Sequence, residues 1–140
     1  MALGTSAQHK MIYCCKCKQP MEARLTTGRE IYKGNAPNLD SLMYWVCAQC
    51  GNHVGCHGAT MIPLGAIPTP QLRRMRRRIH EVMDPIWRLG HCRRGEMYQT
   101  LNKMLGYRYH TAELTSMVEA RRVLRKVKEL RAKIIGDLDD

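Results

Sequence analysis

Residues 13–18 read YCCKCK and residues 46–51 read VCAQCG, so that each stretch contains a Cys-x-x-Cys pair. In such a pair a tight turn directs two thiolates at one point, and backbone amides stabilise their charge. Two pairs complete the tetrahedral shell that structural zinc prefers and leave no open position for a catalytic water. The sequence therefore predicts one structural zinc ion, held by four ligands: Cys14, Cys17, Cys47 and Cys50.

Other side chains near these pairs leave alternatives open. Cys15 could form a poorer Cys-x-Cys pair with Cys17, and either His53 or His57 could replace one of the four cysteines. The cysteines could also be ordinary reduced thiols. That alternative does not explain two equally spaced pairs in a segment with few apolar residues, which would be marginally stable without a staple.

Cysteine usage and the start of the chain indicate a reducing compartment. The chain has seven cysteines, an odd number, and residues 1–10 contain no apolar stretch typical of a signal peptide. No apolar run approaches the roughly 18 residues that a membrane span needs. In a reducing compartment, paired cysteines are better explained as metal ligands than as disulfides. We expect a cytoplasmic protein without a membrane partner.

Composition divides the 140 residues into five segments. We predict a flexible lead at 1–10, a zinc-ribbon module at 11–60, a proline-rich linker at 61–70 (MIPLGAIPTP), a basic helical region at 71–135 and an acidic tail at 136–140. The expected fold class is α+β, in which a small four-cysteine zinc ribbon of short antiparallel strands packs on a C-terminal region of three to four α-helices.

Local patterns place the elements within these segments. Residues 30–33 and 42–46 are candidates for extended strands. Apolar residues at three-to-four spacing predict a helix that begins at Pro70 and is broken or kinked at Asp84-Pro85. A second helix is expected over 95–105, and a third from near Thr111 to beyond Leu130.

Positive charge is concentrated in the second half of the chain. Residues 71–140 contain seventeen Lys or Arg against nine Asp or Glu, whereas residues 1–70 contain six against three. The net charge of +11 favours a polyanionic partner, chiefly nucleic acid. The plain alternative is a solvated helix surface that keeps the protein in solution.

Two arginine-rich runs and two aromatic residues are the candidate nucleic-acid contacts. Arginine binds phosphate oxygens in pairs, and aromatic rings can stack on bases. The candidates are Arg73, Arg74, Arg76, Arg77 and Arg78 in the first run, Arg121, Arg122, Arg125, Lys126 and Lys128 in the second, and the rings of Tyr44 and Trp45. For Trp45 and Trp87, packing in the core is the ordinary alternative.

A longer pattern of residues spans positions 13–124. It joins the cysteine pairs to a VGCH segment, a Pro-Leu-Gly linker and a helix that ends in DPIW. Its members are Cys14, Cys17, Cys47, Cys50, Gly55, His57, Pro63, Leu64, Gly65, Leu72, Arg73, Arg76, His80, Asp84, Pro85, Trp87, Arg94, Tyr98, Leu101, Leu105, Gly106 and His110. In this order and spacing the chain resembles a phage and prophage family known only as a zinc-finger-containing domain of unknown function.

The resemblance implies a double-knuckle ribbon followed by helices, in a protein of the bacterial cytoplasm, and implies no established activity. This chain departs from the family pattern in three ways. It has Met83 where an aromatic residue is more frequent, a short second knuckle and a longer basic C-terminal helix. The last difference leaves the role of that helix open.

Three classes of function follow from these observations. The first is nucleic-acid binding with little base specificity, to DNA more than RNA. The second is a protein-interaction module that binds and regulates an acidic host or phage enzyme. The third is a metal-dependent nuclease, with His57, His80 and His110 as candidates for a second polar cluster. Because these histidines lack the spacing of a catalytic motif, we expect them to act as struts between the modules.

Overall fold

The computed structural model describes residues 8–136, so that most of the predicted lead and tail lies outside the described residues. The chain forms two compact units, with the boundary between Pro70 and Gln71. The first unit contains all strands found in residues 8–136, and the second contains the three long helices, apart from the first residue of the earliest one. The predicted α+β fold class, a ribbon plus helices, is confirmed.

The N-terminal unit is built on one antiparallel sheet with the strand order β1-β2-β3-β4. The strands are β1 (His9–Cys14), β2 (Gln19–Thr27), β3 (Met43–Cys47) and β4 (His53–Gly55). The register places Leu25 opposite Trp45 and Trp45 opposite Val54. Because β1 begins at His9, the last two residues of the predicted lead belong to the sheet.

One face of this sheet carries the core of the unit. Side chains alternate along a strand, and accordingly Ile12 and Cys14 are buried whereas Met11 and Tyr13 are exposed. The buried cluster contains Ile12, Cys14, Ala23, Trp45, Cys47, Val54 and Ile67. Two of the four predicted zinc ligands are therefore part of the hydrophobic core itself.

A short helix replaces one of the predicted strands. The structure has α1 at Gly28–Tyr32, whereas the sequence predicted an extended segment at 30–33. Thr27 caps this helix, because its Oγ1 accepts a hydrogen bond from the Glu30 amide at 3.4 Å. The Thr-x-x-Glu spacing is typical of a helix start, and this signal outweighs the strand propensity of the following residues.

The proline-rich segment at 61–70 packs on the sheet. The Ile67 amide donates to the Tyr13 carbonyl and the Cys15 amide donates to the Ile67 carbonyl, each at 2.8 Å. Trp45 Nε1 donates to the Met61 carbonyl at 2.8 Å. Prolines prevent a helix here, but Ile67 is fully buried and its backbone covers the edge of β1.

Three long helices make up the C-terminal unit. They are α2 (Pro70–Arg88), α3 (Arg94–Leu105) and α4 (Met117–Ile134). None of the helices within residues 8–136 combines the length and the apolar character needed to span a bilayer.

One predicted helix break and one predicted helix start are wrong. Helix α2 is not broken at Asp84-Pro85 but continues to Arg88. In this last turn Ile86 is fully buried and Trp87 Nε1 donates to Asp84 at 3.2 Å. Helix α4 begins at Met117 rather than near Thr111, because Ser116 Oγ accepts from the Glu119 amide at 3.0 Å. Residues Thr111–Glu113 form only a 3₁₀ turn.

Arginine side chains fix how these helices lie together. Arg76, in the second turn of α2, donates to the Leu114 carbonyl just before α4. Arg131, near the end of α4, donates to the Val82 carbonyl at 3.3 Å. Both ends of α4 are therefore joined to α2 by an arginine side chain.

We predict that Gly28→Ala destabilises the N-terminal unit by about 2 kcal/mol or more, as overpacking does. A Cβ at this position would lie 1.9 Å from the Leu39 carbonyl oxygen, a backbone atom that cannot move aside cheaply. Denaturant unfolding followed by tryptophan fluorescence measures the loss.

Gly95→Ala is the matched control, because a Cβ at Gly95 meets nothing within 4 Å. Gly95 lies in α3, where alanine is the better helix former, and we expect no loss of stability. Equal stability of the two variants would show that the approach of Gly28 to Leu39 does not constrain the fold.

Candidate metal centre

The four predicted ligand thiols converge on one point. The Sγ atoms of Cys14, Cys17, Cys47 and Cys50 all lie within 4.8 Å of one another. The Cys14 and Cys50 sulfurs are 3.5 Å apart, and the Cys17 and Cys47 sulfurs are 3.9 Å apart. A tetrahedron with Zn–S distances of about 2.3 Å has sulfurs about 3.8 Å apart. The cluster therefore has the size that a single structural zinc ion requires.

Both pairs use the same turn. Each begins at the last residue of a strand, Cys14 in β1 and Cys47 in β3. The amide of the residue four positions later donates back to that cysteine's carbonyl, Lys18 to Cys14 at 2.7 Å and Gly51 to Cys47 at 3.0 Å. Lys18 and Gly51 both have positive φ, 60° and 80°. This turn brings the second cysteine of each pair back toward the first.

The surroundings of the thiols suit a bound cation. Burial opposes ionisation of Cys47, but backbone hydrogen bonds from Cys50 and Gln49 outweigh it and lower the pKa of Cys47 to about 7. Desolvation and the neighbouring thiols of Cys14 and Cys47 raise the pKa of Cys17 to about 12. Four thiolates this close repel one another, so a dication is needed to keep all of them ionised.

The structure resolves the alternatives for the ligand set. His53 Nε2 lies 3.4 Å from the Tyr32 hydroxyl, and its ring packs edge-on against Tyr44 at 5.4 Å. His57 is exposed. Across residues 8–136, only the four cysteines form a group of three or more His, Cys, Asp or Glu side chains able to hold a metal. Neither histidine, nor Cys15, replaces a ligand.

The three histidines of the predicted polar cluster do not all belong to one unit. His57 lies in the N-terminal unit, and His80 and His110 lie in the C-terminal unit. His80 Nδ1 is 3.2 Å from both carboxylate oxygens of Asp84, one turn along α2. His110 lines a pocket of about 370 Å³ before α4. These contacts give His80 a structural partner on its own helix.

The two aromatic residues proposed to stack on bases lie in the interior. Tyr44 is 8% exposed and Trp45 is 2% exposed. Trp45 belongs to the core cluster and donates its only side-chain N–H to the Met61 carbonyl. A buried ring presents no face to a base, so we exclude both from the nucleic-acid surface, and Trp45 follows the core-packing alternative.

Several predicted phosphate contacts are used inside the protein. Arg76 bonds to the Leu114 carbonyl. Arg122 bonds to the Leu105 carbonyl at 2.9 Å and pairs with Glu119 at 3.1 Å. Lys126 pairs with Glu129 at 3.4 Å, and Arg73 is half-buried. These four side chains are less available to a phosphate than the sequence suggests.

The remaining arginines face solvent. The side chain of each is exposed and, within residues 8–136, makes no hydrogen bond or ion pair to another residue. These residues are Arg74, Arg77, Arg78, Arg121 and Arg125. They form what we call the free arginine set.

A groove that the sequence did not predict lies beside the free arginine set. It has a volume of about 300 Å³ and is lined by Gln71, Arg74, Met75, Arg78 and Met117. The spacing of the first four residues puts them on one flank of α2. That Met117 of α4 meets this flank follows only from tertiary packing, for which the sequence carries no local signal.

We predict that Cys17→Ser or Cys47→Ser abolishes zinc binding and exposes the N-terminal unit to protease. Structural zinc contributes on the order of 10 kcal/mol to folding such a module. Native mass spectrometry should show one zinc in the wild type and none in either variant. Because protons compete for thiolates, zinc should also be released as the pH falls.

Cys56→Ser is the matched control, since Cys56 lies in the same unit but outside the cluster. This variant should keep one zinc. Full zinc occupancy with both Cys17 and Cys47 replaced would contradict the assignment.

Comparison with known proteins agrees with this geometry. Residues 8–133 match the family described as a zinc-finger-containing domain, a span that includes both cysteine pairs and almost all of the three long helices. No curated protein and no solved structure matches the chain significantly. The chain therefore belongs to the family of zinc-finger-containing domains, whose function is unknown.

Proposed function

We propose that this zinc-binding protein binds the phosphate backbone of nucleic acid through the free arginine set, with little base specificity and with DNA preferred over RNA. The observation that carries the proposal is the division of the basic residues into two groups. Arg76, Arg122 and Arg131 bond to backbone carbonyls within the C-terminal unit. The free arginine set makes no such bonds within the described residues, so it can bind phosphate without breaking an internal contact.

The crowding of like charges on α2 supports the same conclusion. Arg74, Arg77 and Arg78 include pairs spaced three and four residues apart, and like-charge pairs at these spacings each cost about 0.2–0.5 kcal/mol. An exposed cluster of this kind does not help α2 to fold. A phosphate backbone would relieve the repulsion, and release of its counterions would favour binding.

The resemblance to phage and prophage proteins supports the bacterial cytoplasm as the place of action. In this proposal the zinc ion is structural and supports the fold of the N-terminal unit. No step of catalysis is assigned to it.

A second candidate function is binding to a protein partner, a host or phage enzyme that the protein would regulate. The observation that favours it is exposed apolar surface in the segment at 61–70 of the N-terminal unit. Met61 is 46% exposed, Ile62 58% and Leu64 42%. Such residues are typical of protein contacts when they lie close together.

We predict that the triple change Arg74→Gln, Arg77→Gln and Arg78→Gln weakens binding to all nucleic-acid sequences alike. If each arginine neutralises one phosphate, the slope of log K against log salt should flatten by about 2 on single strands and about 2.7 on duplex. Fluorescence anisotropy over a salt series measures both quantities.

A matched control removes the same charge elsewhere in the C-terminal unit. Lys103, Arg108 and Lys133 are exposed and lie outside the free arginine set. Changing all three to Gln should leave most of the affinity and slope intact. Equal losses from both triple variants would mean that net charge, rather than this surface, drives binding. Absence of binding to any DNA or RNA would favour the protein-partner alternative.

A further inference from the structure

We propose that the groove between α2 and α4 is a binding site for single-stranded nucleic acid. This inference rests on the proposed function and adds the form of nucleic acid that is recognised. The groove has two arginines, one amide and two methionines along its walls, namely Arg74, Arg78, Gln71, Met75 and Met117. Such a lining combines anion-binding groups with apolar surface.

The arginines supply the contact with the backbone. Arg74 and Arg78 are one helical turn apart, which places their Cβ atoms about 5–6 Å from each other on the same flank of α2. Both are exposed and both line the groove. Two guanidinium forks at this spacing can bind one phosphate together or two successive phosphates. Gln71, one turn before, adds an uncharged donor and acceptor at the end of the groove.

The methionines favour single strands over duplex. Met75 and Met117 are half-buried, so part of each side chain remains open to the groove. Thioether side chains are flexible and polarizable and can adapt to different ring faces. In a single strand, unpaired bases and sugars can reach this apolar surface. In a duplex the bases are stacked and paired, so the backbone alone would reach the arginines.

The positive charge of the groove continues along α4. Arg121 lies one turn after Met117 on the same side of α4, and Arg125 lies one turn further. Exposed arginines therefore continue from the groove along α4, as expected for a site that tracks a strand rather than a single ion.

The test uses the full zinc-loaded protein and two labelled probes, an oligothymidylate and a mixed-sequence duplex of equal length. We expect the wild type to bind the oligothymidylate more tightly. Met117→Ala should weaken that binding roughly three- to tenfold through lost apolar contact and leave duplex binding unchanged. Met75→Ala, on the α2 side of the groove, should have the same effect. Agreement between the two variants would show that the loss does not come from a local folding defect at Met117. The double change Arg74→Gln and Arg78→Gln should weaken binding to both probes.

Val118→Ala is the matched control, because Val118 is 76% exposed, adjacent to Met117 and outside the groove lining. It should bind both probes as the wild type does. If the methionine variants bind the oligothymidylate normally while the arginine variant loses both probes, the groove inference is overturned and the proposed function stands. If the wild type binds neither probe, both proposals fail. Binding to polyglutamate in that case would assign the groove to an acidic protein.

Discussion

The convergence of four thiolates on one point is the constraint on which the N-terminal unit depends. Its core is small, and Cys14 and Cys47 belong to the same buried cluster as Trp45 and Ile67. Without a cation the thiols repel one another when ionised, and the sheet ends that carry them lose their common anchor. A sheet of four short strands has little apolar area to offset this loss, so metal binding and folding are one process here.

Arginine has two roles in the C-terminal unit. Some arginine side chains bond to backbone carbonyls of the protein, and others are exposed to solvent. Arg122 reaches the carbonyl of the last residue of α3, where backbone acceptors lack helical partners. Arg76 and Arg131 reach carbonyls before α4 and in the second half of α2. These bonds hold α2, α3 and α4 in place, so that the remaining arginines need no structural role. Because Arg76, Arg122 and Arg131 hold the helices together, the free arginine set can form a dense, exposed positive surface on α2 and α4.

Local signals in the sequence were sufficient for the metal site and for the existence of each long helix. The Cys-x-x-Cys spacing determines a turn by itself, and the three-to-four spacing of apolar residues determines a helix face. The missed features depend on contacts between distant residues. Ile67 forms backbone hydrogen bonds along the edge of β1, and Trp45 donates to the Met61 carbonyl. Met117 of α4 lines a groove together with residues of α2. The start of α4 is a different case, because the Ser116–Glu119 capping pattern is a local signal that the sequence itself carries.

The zinc site also increases the difference in charge between the two units. Four thiolates with one zinc dication carry a net charge of −2, which reduces the formal charge of residues 1–70 from +3 to +1. Residues 71–140 keep their formal charge of +8. A polyanion would therefore be attracted to the helical unit and only weakly to the ribbon. The cysteine pairs thus support two properties together, a folded N-terminal unit and a larger difference in charge between the two units.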